Sequence, residues 1–179
     1  MRVFVAGFPP PKVREALVEA ARALPTGAFR LTAPERVHLT LKFLGEVLPE
    51  DLPRVSSALE RIGQRGEPFD ATISGFGAFP SARRARILWA GIGQGAEGFR
   101  ALSRAVEDLL EPEGFAREDK PFLPHLTLGR ARRPVPFDPG GAVVPDLGFG
   151  VGALNLVDSR QGERGVTYSV LERYPLGRN

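Results

Sequence analysis

The chain has 179 residues, 42% hydrophobic and 25% charged, with a formal charge of +3 from 24 basic and 21 acidic residues. That length and mixture exclude a wholly disordered chain and fit one domain, or two small lobes sharing a core, that folds without a disulfide or a metal. Cysteine is absent, which excludes disulfide scaffolds, zinc–thiolate sites, iron–sulfur clusters and a cysteine nucleophile, and fits a reducing compartment.

A net charge this small does not by itself indicate a nucleic-acid partner. Of the basic residues, all but Lys12, Lys42 and Lys120 are arginine. Arginine is a planar fork suited to phosphate, but a G+C-rich genome enriches it too. The apolar run from Met1 to Phe8 is too short for a signal peptide and meets Pro9-Pro10-Pro11 at once. No apolar stretch approaches the ~20 residues of a membrane span. A soluble, cytoplasmic protein is expected.

Arg2 to Phe8 reads as a strand, apolar and bounded by prolines. Pro10 to Leu24 reads as a helix with Val13, Leu17, Val18, Ala21 and Leu24 at helical spacing, ended by a turn at Pro25-Thr26-Gly27. Phe29 to Leu31 is a short strand, and Val37 to Leu44 a strand closed by Gly45. Pro49 to Ile62 is a second helix, ended by Gly63. Phe69 to Phe76 and Ala85 to Ile92 are strands, and Gly95 to Leu110 is a third helix with Phe99, Leu102, Val106, Leu109 and Leu110 on one face. Pro112 to Pro121 is a polar loop, followed by a strand from Leu126 to Arg130. Phe149 to Val157 and Val166 to Tyr174 form a closing strand pair across Asp158 to Gly165.

An internal repeat organises these elements. Val5-Ala6-Gly7-Phe8 matches Trp89-Ala90-Gly91-Ile92, and each is followed by a helix. His38-Leu39-Thr40-Leu41 then recurs identically as His125-Leu126-Thr127-Leu128. Two copies are too few, and the period too long, for a solenoid. They predict two lobes related by a pseudo-twofold axis, which brings equivalent residues together across one cleft.

The chain's only two histidines occupy equivalent points of this repeat. Strand alternation sends His and the Thr two places later to one face, and the leucines to the core. The cleft then holds two imidazoles and two hydroxyls. One imidazole accepts a proton while the other donates one, and Thr40 and Thr127 donate hydrogen bonds to the oxygens of a tetrahedral anion. This suits phosphodiester cleavage without a metal. A two-histidine metal site would need nearby carboxylates, and neither motif carries one within four residues after its His.

His38-Leu39-Thr40-Leu41-Lys42-Phe43-Leu44-Gly45 and Pro124-His125-Leu126-Thr127-Leu128-Gly129-Arg130 resemble the two HxTx motifs of the 2H phosphoesterase superfamily. Within it the chain is most similar to bacterial and archaeal RNA 2′,3′-cyclic phosphodiesterases, also named 2′-5′ RNA ligases or LigT-like proteins. Arg2 to Ala6, Arg86 to Gly91 and the region of Tyr168 extend the resemblance to essentially the whole chain. It implies an α+β fold over residues 1–179: one domain of two intertwined lobes, with antiparallel sheets facing a central cleft and helices outside. It implies hydrolysis of RNA 2′,3′-cyclic phosphate ends to 2′-phosphomonoesters, with reversible 2′-5′ ligation of some ends and no cofactor. RNA ends or small cyclic nucleotides are the implied substrates, taken by a monomer.

The resemblance also implies roles. His38 is the proton donor to the departing 3′ oxygen, and His125 the acceptor that activates water. Thr40 and Thr127 bind phosphate oxygens. The near-symmetry of the repeat would by itself allow the histidines to swap. Arg130 is implied as a phosphate contact, although it lies five residues after His125 and would face away on an unbroken strand; a bend after Gly129 would permit the contact. Phe43, five residues after His38, is implied as a nucleobase platform, against the alternative of plain core. Arg83-Arg84-Ala85-Arg86 and Arg132-Arg133 read as RNA-steering or as an ordinary solvated face, and Lys42 has no assigned role. Gly75-Phe76-Gly77 and Gly91-Ile92-Gly93 read as turns, not dinucleotide fingerprints, and no P-loop is present. The reading from another class is a non-catalytic binder of RNA terminal phosphates.

Overall fold

A computed structural model describes residues 1–24, 27–139, 142–163 and 165–177. The strands are β1 (Arg2–Gly7), β2 (Arg30–Leu31), β3 (Leu39–Glu46), β4 (Phe69–Phe79), β5 (Ala85–Ile92), β6 (His125–Val135), β7 (Gly148–Val151), β8 (Ala153–Gly162) and β9 (Gly165–Pro175). The α-helices are α1 (Pro11–Arg22), α2 (Leu52–Arg65) and α3 (Ala96–Leu110). The architecture is α+β. One antiparallel sheet has the order β3-β1-β8-β9 and the other β2-β6-β5-β4-β7.

Each half of the repeat supplies two neighbouring strands of one sheet. β1 pairs with β3, and β5 with β6. β3 and β6, which carry the two His-Leu-Thr-Leu copies, lie against each other where the sheets meet. On β1 alternation buries Val3 and Val5 in the main core, while Phe4 and Ala6 join Val157, Phe8 and Tyr168 in a small cluster on the opposite face. The helices are amphipathic. α1 buries Val13, Leu17, Val18 and Ala21, and α3 buries Phe99, Leu102, Val106 and Leu110. Each such aliphatic or aromatic side chain withdrawn from water contributes about 1.5–3 kcal/mol. One apolar cluster runs through residues of both sheets and all three helices.

Several boundaries differ from those read in the sequence. Gly63 lies inside α2 rather than ending it. It is small because a Cβ there would sit 2.8 Å from the Pro175 carbonyl oxygen, so it marks a close approach of helix and strand. β3 runs through Gly45, which adopts φ +74 where the pairing slips. The stretch from Phe149 to Val157 is two strands. β7 pairs with β4 and β8 with β1, so the chain changes sheets at Gly152. The turn expected at Pro25 and Thr26 lies outside the described residues.

Gly75 and Gly77 lie within β4, and Gly91 within β5, instead of forming turns. Strand glycine marks a close approach. A Cβ on Gly77 would fall 2.2 Å from the Trp89 indole, and one on Gly91 would fall 3.2 Å from it. These glycines let Trp89 lie flat on the sheet.

Candidate active site

His38 immediately precedes β3 and His125 opens β6. Each is held in the same way. Nδ1 of His38 donates to the Arg36 carbonyl at 2.7 Å, and Nδ1 of His125 to the Leu123 carbonyl at 2.7 Å. A carbonyl only accepts, so Nδ1 carries the hydrogen, and in the neutral ring Nε2 is left with a free lone pair. Arg36 is itself tied down, since its guanidinium donates to the Val166 carbonyl on β9 at 3.1 Å.

Aromatic rings wall both imidazoles. Phe4 and Tyr168 lie 4.9 and 5.1 Å from the His38 ring, and Phe8 lies 5.7 Å away. Phe79 and Trp89 lie 5.1 and 6.2 Å from His125. The sequence alone gives Phe79 and Phe8 no role, and marks Trp89 and Tyr168 only as parts of the repeat and of the family resemblance. For Phe79, Trp89 and Tyr168 the available signal is their strand phase, whereas Phe8 lies just past the end of β1.

These walls desolvate the rings. Burial is the main cause that holds both histidines below the ordinary imidazole range, partly opposed by the carbonyl hydrogen bonds. The Arg130 guanidinium lowers both further, so its charge lies beside the pair. The charge of His125 also disfavours imidazolium at His38.

The position of Arg130 has a specific cause. Thr127 pairs with Trp89, but Gly129 pairs with Leu88, so Leu128 is an extra residue on β6. Such a bulge shifts the alternation by one place. Arg130 thus returns to the side of His125 and Thr127, through a bulge at Leu128 ahead of Gly129 rather than the bend expected after it. The same irregularity occurs in the other repeat. Thr40 pairs with Ala6 and Lys42 with Val5, leaving Leu41 as the extra residue on β3. Its beneficiary is Phe43, the position equivalent to Arg130. Phe43 is 60% exposed, with its ring 5.8 Å from Phe4, so it is not core.

Thr40, Phe43 and His125 line a cavity of about 1040 Å³, together with Phe79 and Arg86. Thr40 and Thr127 are half-buried, as one face of a cleft requires. Arg83, Arg84, Arg132 and Arg133 are exposed. Of the flanking arginines named in the sequence, Arg86 reaches the cavity wall, and its guanidinium donates to the Arg132 carbonyl at 3.1 Å. Among the described residues no group of three His, Asp or Glu gathers as a metal site.

His125 and Thr40 line this cavity, whereas His38, Thr127 and Arg130 are not among its lining residues; His38 is nonetheless near enough to His125 and Arg130 for their charges to act on it. The family model of the 2′-5′ RNA ligase superfamily matches residues 9–163. The chain is 39% identical to the RNA 2′,3′-cyclic phosphodiesterase of Thermus thermophilus, over 98% of this chain and 90% of that protein. It is 31% identical to the Escherichia coli K12 protein of the same name, over 98% and 96% of the two chains. Among solved structures it resembles TT0787 of Thermus thermophilus, with TM-score 0.87, 35% identity and coverage of 99% and 98%. It also resembles E. coli LigT complexed with 3′-AMP, with TM-score 0.81, 28% identity and 98% coverage of each chain. The chain belongs to the 2′-5′ RNA ligase superfamily.

Proposed function

We propose that this chain is an RNA 2′,3′-cyclic phosphodiesterase that hydrolyses cyclic phosphate ends to 2′-phosphomonoesters. The observation that carries the reading is the gathering of one histidine from each repeat beside the Arg130 charge, with a threonine on each histidine's strand. The relatives named for this activity supply the substrate class.

In the proposed reaction water attacks phosphorus while Nε2 of His125 takes its proton. The bond from phosphorus to the 3′ oxygen breaks, and His38 returns a proton to that oxygen. The products are a 2′-phosphomonoester and a free 3′ hydroxyl. Thr40, Thr127 and Arg130 donate to the phosphate oxygens, where charge concentrates in the transition state. Phe43 offers a face on which the base stacks.

The histidine environments suit this proton traffic. Burial, chiefly, disfavours imidazolium on both rings, and the Arg130 charge adds to this. The reactive form is the one in which His38 carries the proton and Nε2 of His125 is free to accept one. We propose that the reaction is metal-free, a reading supported by the guanidinium charge that acts on both histidines and disfavours a cation there. We further propose that the whole chain acts as one domain, as a monomer in the cytoplasm, and that the same cleft carries out a reversible 2′-5′ ligation, in which an RNA 5′ hydroxyl takes the place of water, bonds to phosphorus and displaces the 3′ oxygen.

The test is incubation with adenosine 2′,3′-cyclic phosphate in excess chelator, with chromatography against 2′-AMP and 3′-AMP. Turnover to 2′-AMP is expected. Loss of activity in EDTA with recovery on one divalent ion overturns the metal-free mechanism, and 3′-AMP as product reverses the donor assignment. Tight binding without turnover favours the non-catalytic binder.

A further inference from the structure

Lys42 is buried, with its side chain 1% exposed, and no step above uses it. Its Nζ donates to Glu107 Oε2 at 2.6 Å and to the Ala116 carbonyl at 2.6 Å. Glu107 is on α3, and Ala116 lies in the segment between α3 and β6. One turn earlier on α3, Ser103 Oγ donates to the Leu41 carbonyl at 3.3 Å. Leu41 is the extra residue of the β3 bulge. Thus α3 grips the bulge at two consecutive residues, through a main-chain carbonyl and through a buried ammonium. The equivalent position in the other repeat is Gly129, where a Cβ would crowd Phe29 at 3.2 Å and the Arg30 carbonyl of β2 at 3.3 Å.

We infer that Lys42 is a positioning residue that couples the two halves of the site. On one side it fixes the bulge that turns Phe43 into the cleft. On the other it anchors the segment that leads from Ala116 to Leu123, whose carbonyl holds His125. An ammonium has three donors and no acceptor, so it specifies this three-element junction in a way that an apolar side chain does not. A buried ion pair contributes little net stability over packed apolar groups. Its use here is geometric. The inference rests on the reading of Phe43 and His125 given above.

The test is the double variant Lys42→Met/Glu107→Leu, which leaves no orphan charge, and separately Ser103→Ala, which releases the bulge carbonyl with little change in volume. For the double variant, KM for adenosine 2′,3′-cyclic phosphate should rise about fivefold or more, as for a lost stacking contact. Its kcat/KM profile should also move to lower pH, because loosening the Leu123 carbonyl removes a hydrogen bond that favours charged His125. Ser103→Ala should raise KM more than it lowers kcat. A purely structural pair would lower the melting temperature and leave KM and the pH profile of the folded enzyme unchanged, and that result overturns the inference. Should the double variant fail to fold, an unchanged KM in Ser103→Ala overturns it alone. Phe43→Leu and His125→Ala serve as controls. If both are silent, the reading of the site fails and this inference falls with it. If they are impaired while the Lys42 and Ser103 variants are normal, only this inference fails.

Discussion

His38 and His125 are oriented by the same device: each ring donates from Nδ1 to the carbonyl two residues upstream, at 2.7 Å in both cases. The repeat has thus preserved the hydrogen bond that fixes the tautomer as well as the histidine. Both Nε2 atoms are left as the reactive nitrogens, which lets either ring accept or donate.

His38→Ala and His125→Ala should each lower kcat/KM by about 10²–10⁴-fold, the contribution of one general acid or base. The double variant should be little worse than either single variant, because the pair acts as a unit. Steady-state kinetics on adenosine 2′,3′-cyclic phosphate decides this. Near-normal turnover in either single variant removes the pair from the mechanism.

Both imidazoles titrate below the usual value of 6.5, chiefly through burial. The bell of kcat/KM against pH reports the free enzyme, and its two limbs belong to the pair. That bell should centre on the acid side of 6.5, and activity should decline towards pH 8 as the last proton leaves. Bound phosphate anion favours imidazolium, so the kcat profile should lie at higher pH. For stability the sign is set by the lowered folded-state values. Between those values and 6.5 the unfolded chain binds more protons, so stability present above 6.5 is lost as pH falls through that window. Melting temperatures of wild type and His38→Ala across pH 4.5–7.5 would show a shallower loss in the variant.

Arg130→Lys should impair the enzyme although the charge is kept. A guanidinium meets two phosphate oxygens through its fork, and an ammonium acts as a point charge. Losing one charge-assisted bond, about 1.5–3 kcal/mol, corresponds to about a ten- to hundredfold drop in kcat/KM. The inhibition constant of 2′-AMP should rise in parallel. Unchanged kinetics would make Arg130 a surface residue.

Phe43→Leu should raise KM about fivefold or more while kcat changes little, because stacking on the base is worth about 1–3 kcal/mol. Its 60% exposure means that the melting temperature should hardly move. A drop in melting temperature with unchanged KM would contradict the platform.

Gly77→Ala places a methyl where the Trp89 indole lies, since its Cβ would be 2.2 Å from the ring. The ring must shift, and with it the wall beside His125. Overpacking of this kind typically costs about 1–3 kcal/mol. The expected result is a lower melting temperature, reduced kcat and altered emission from the chain's single tryptophan. Unchanged emission and kcat would show that the indole does not support the site.

The sequence by itself determined the repeat, the two histidines, the threonines beside them and the burial of Leu39, Leu41, Leu126 and Leu128, which are all buried in the core. These follow from strand periodicity, a local property that the residue pattern carries. Tertiary pairing decided where Phe43 and Arg130 point. Alternation alone sends a residue five places after a histidine to the opposite face. The bulges at Leu41 and Leu128 reverse that, and they exist only because β1 and β5 pair with β3 and β6 one residue out of step. The split of residues 149–157 between two sheets at Gly152 is equally non-local, since both pieces read as strand and only their partners differ. The acidity of the histidines was likewise invisible in the chain. It comes from Phe4, Phe8, Tyr168, Phe79 and Trp89, brought from distant positions to exclude water from the rings.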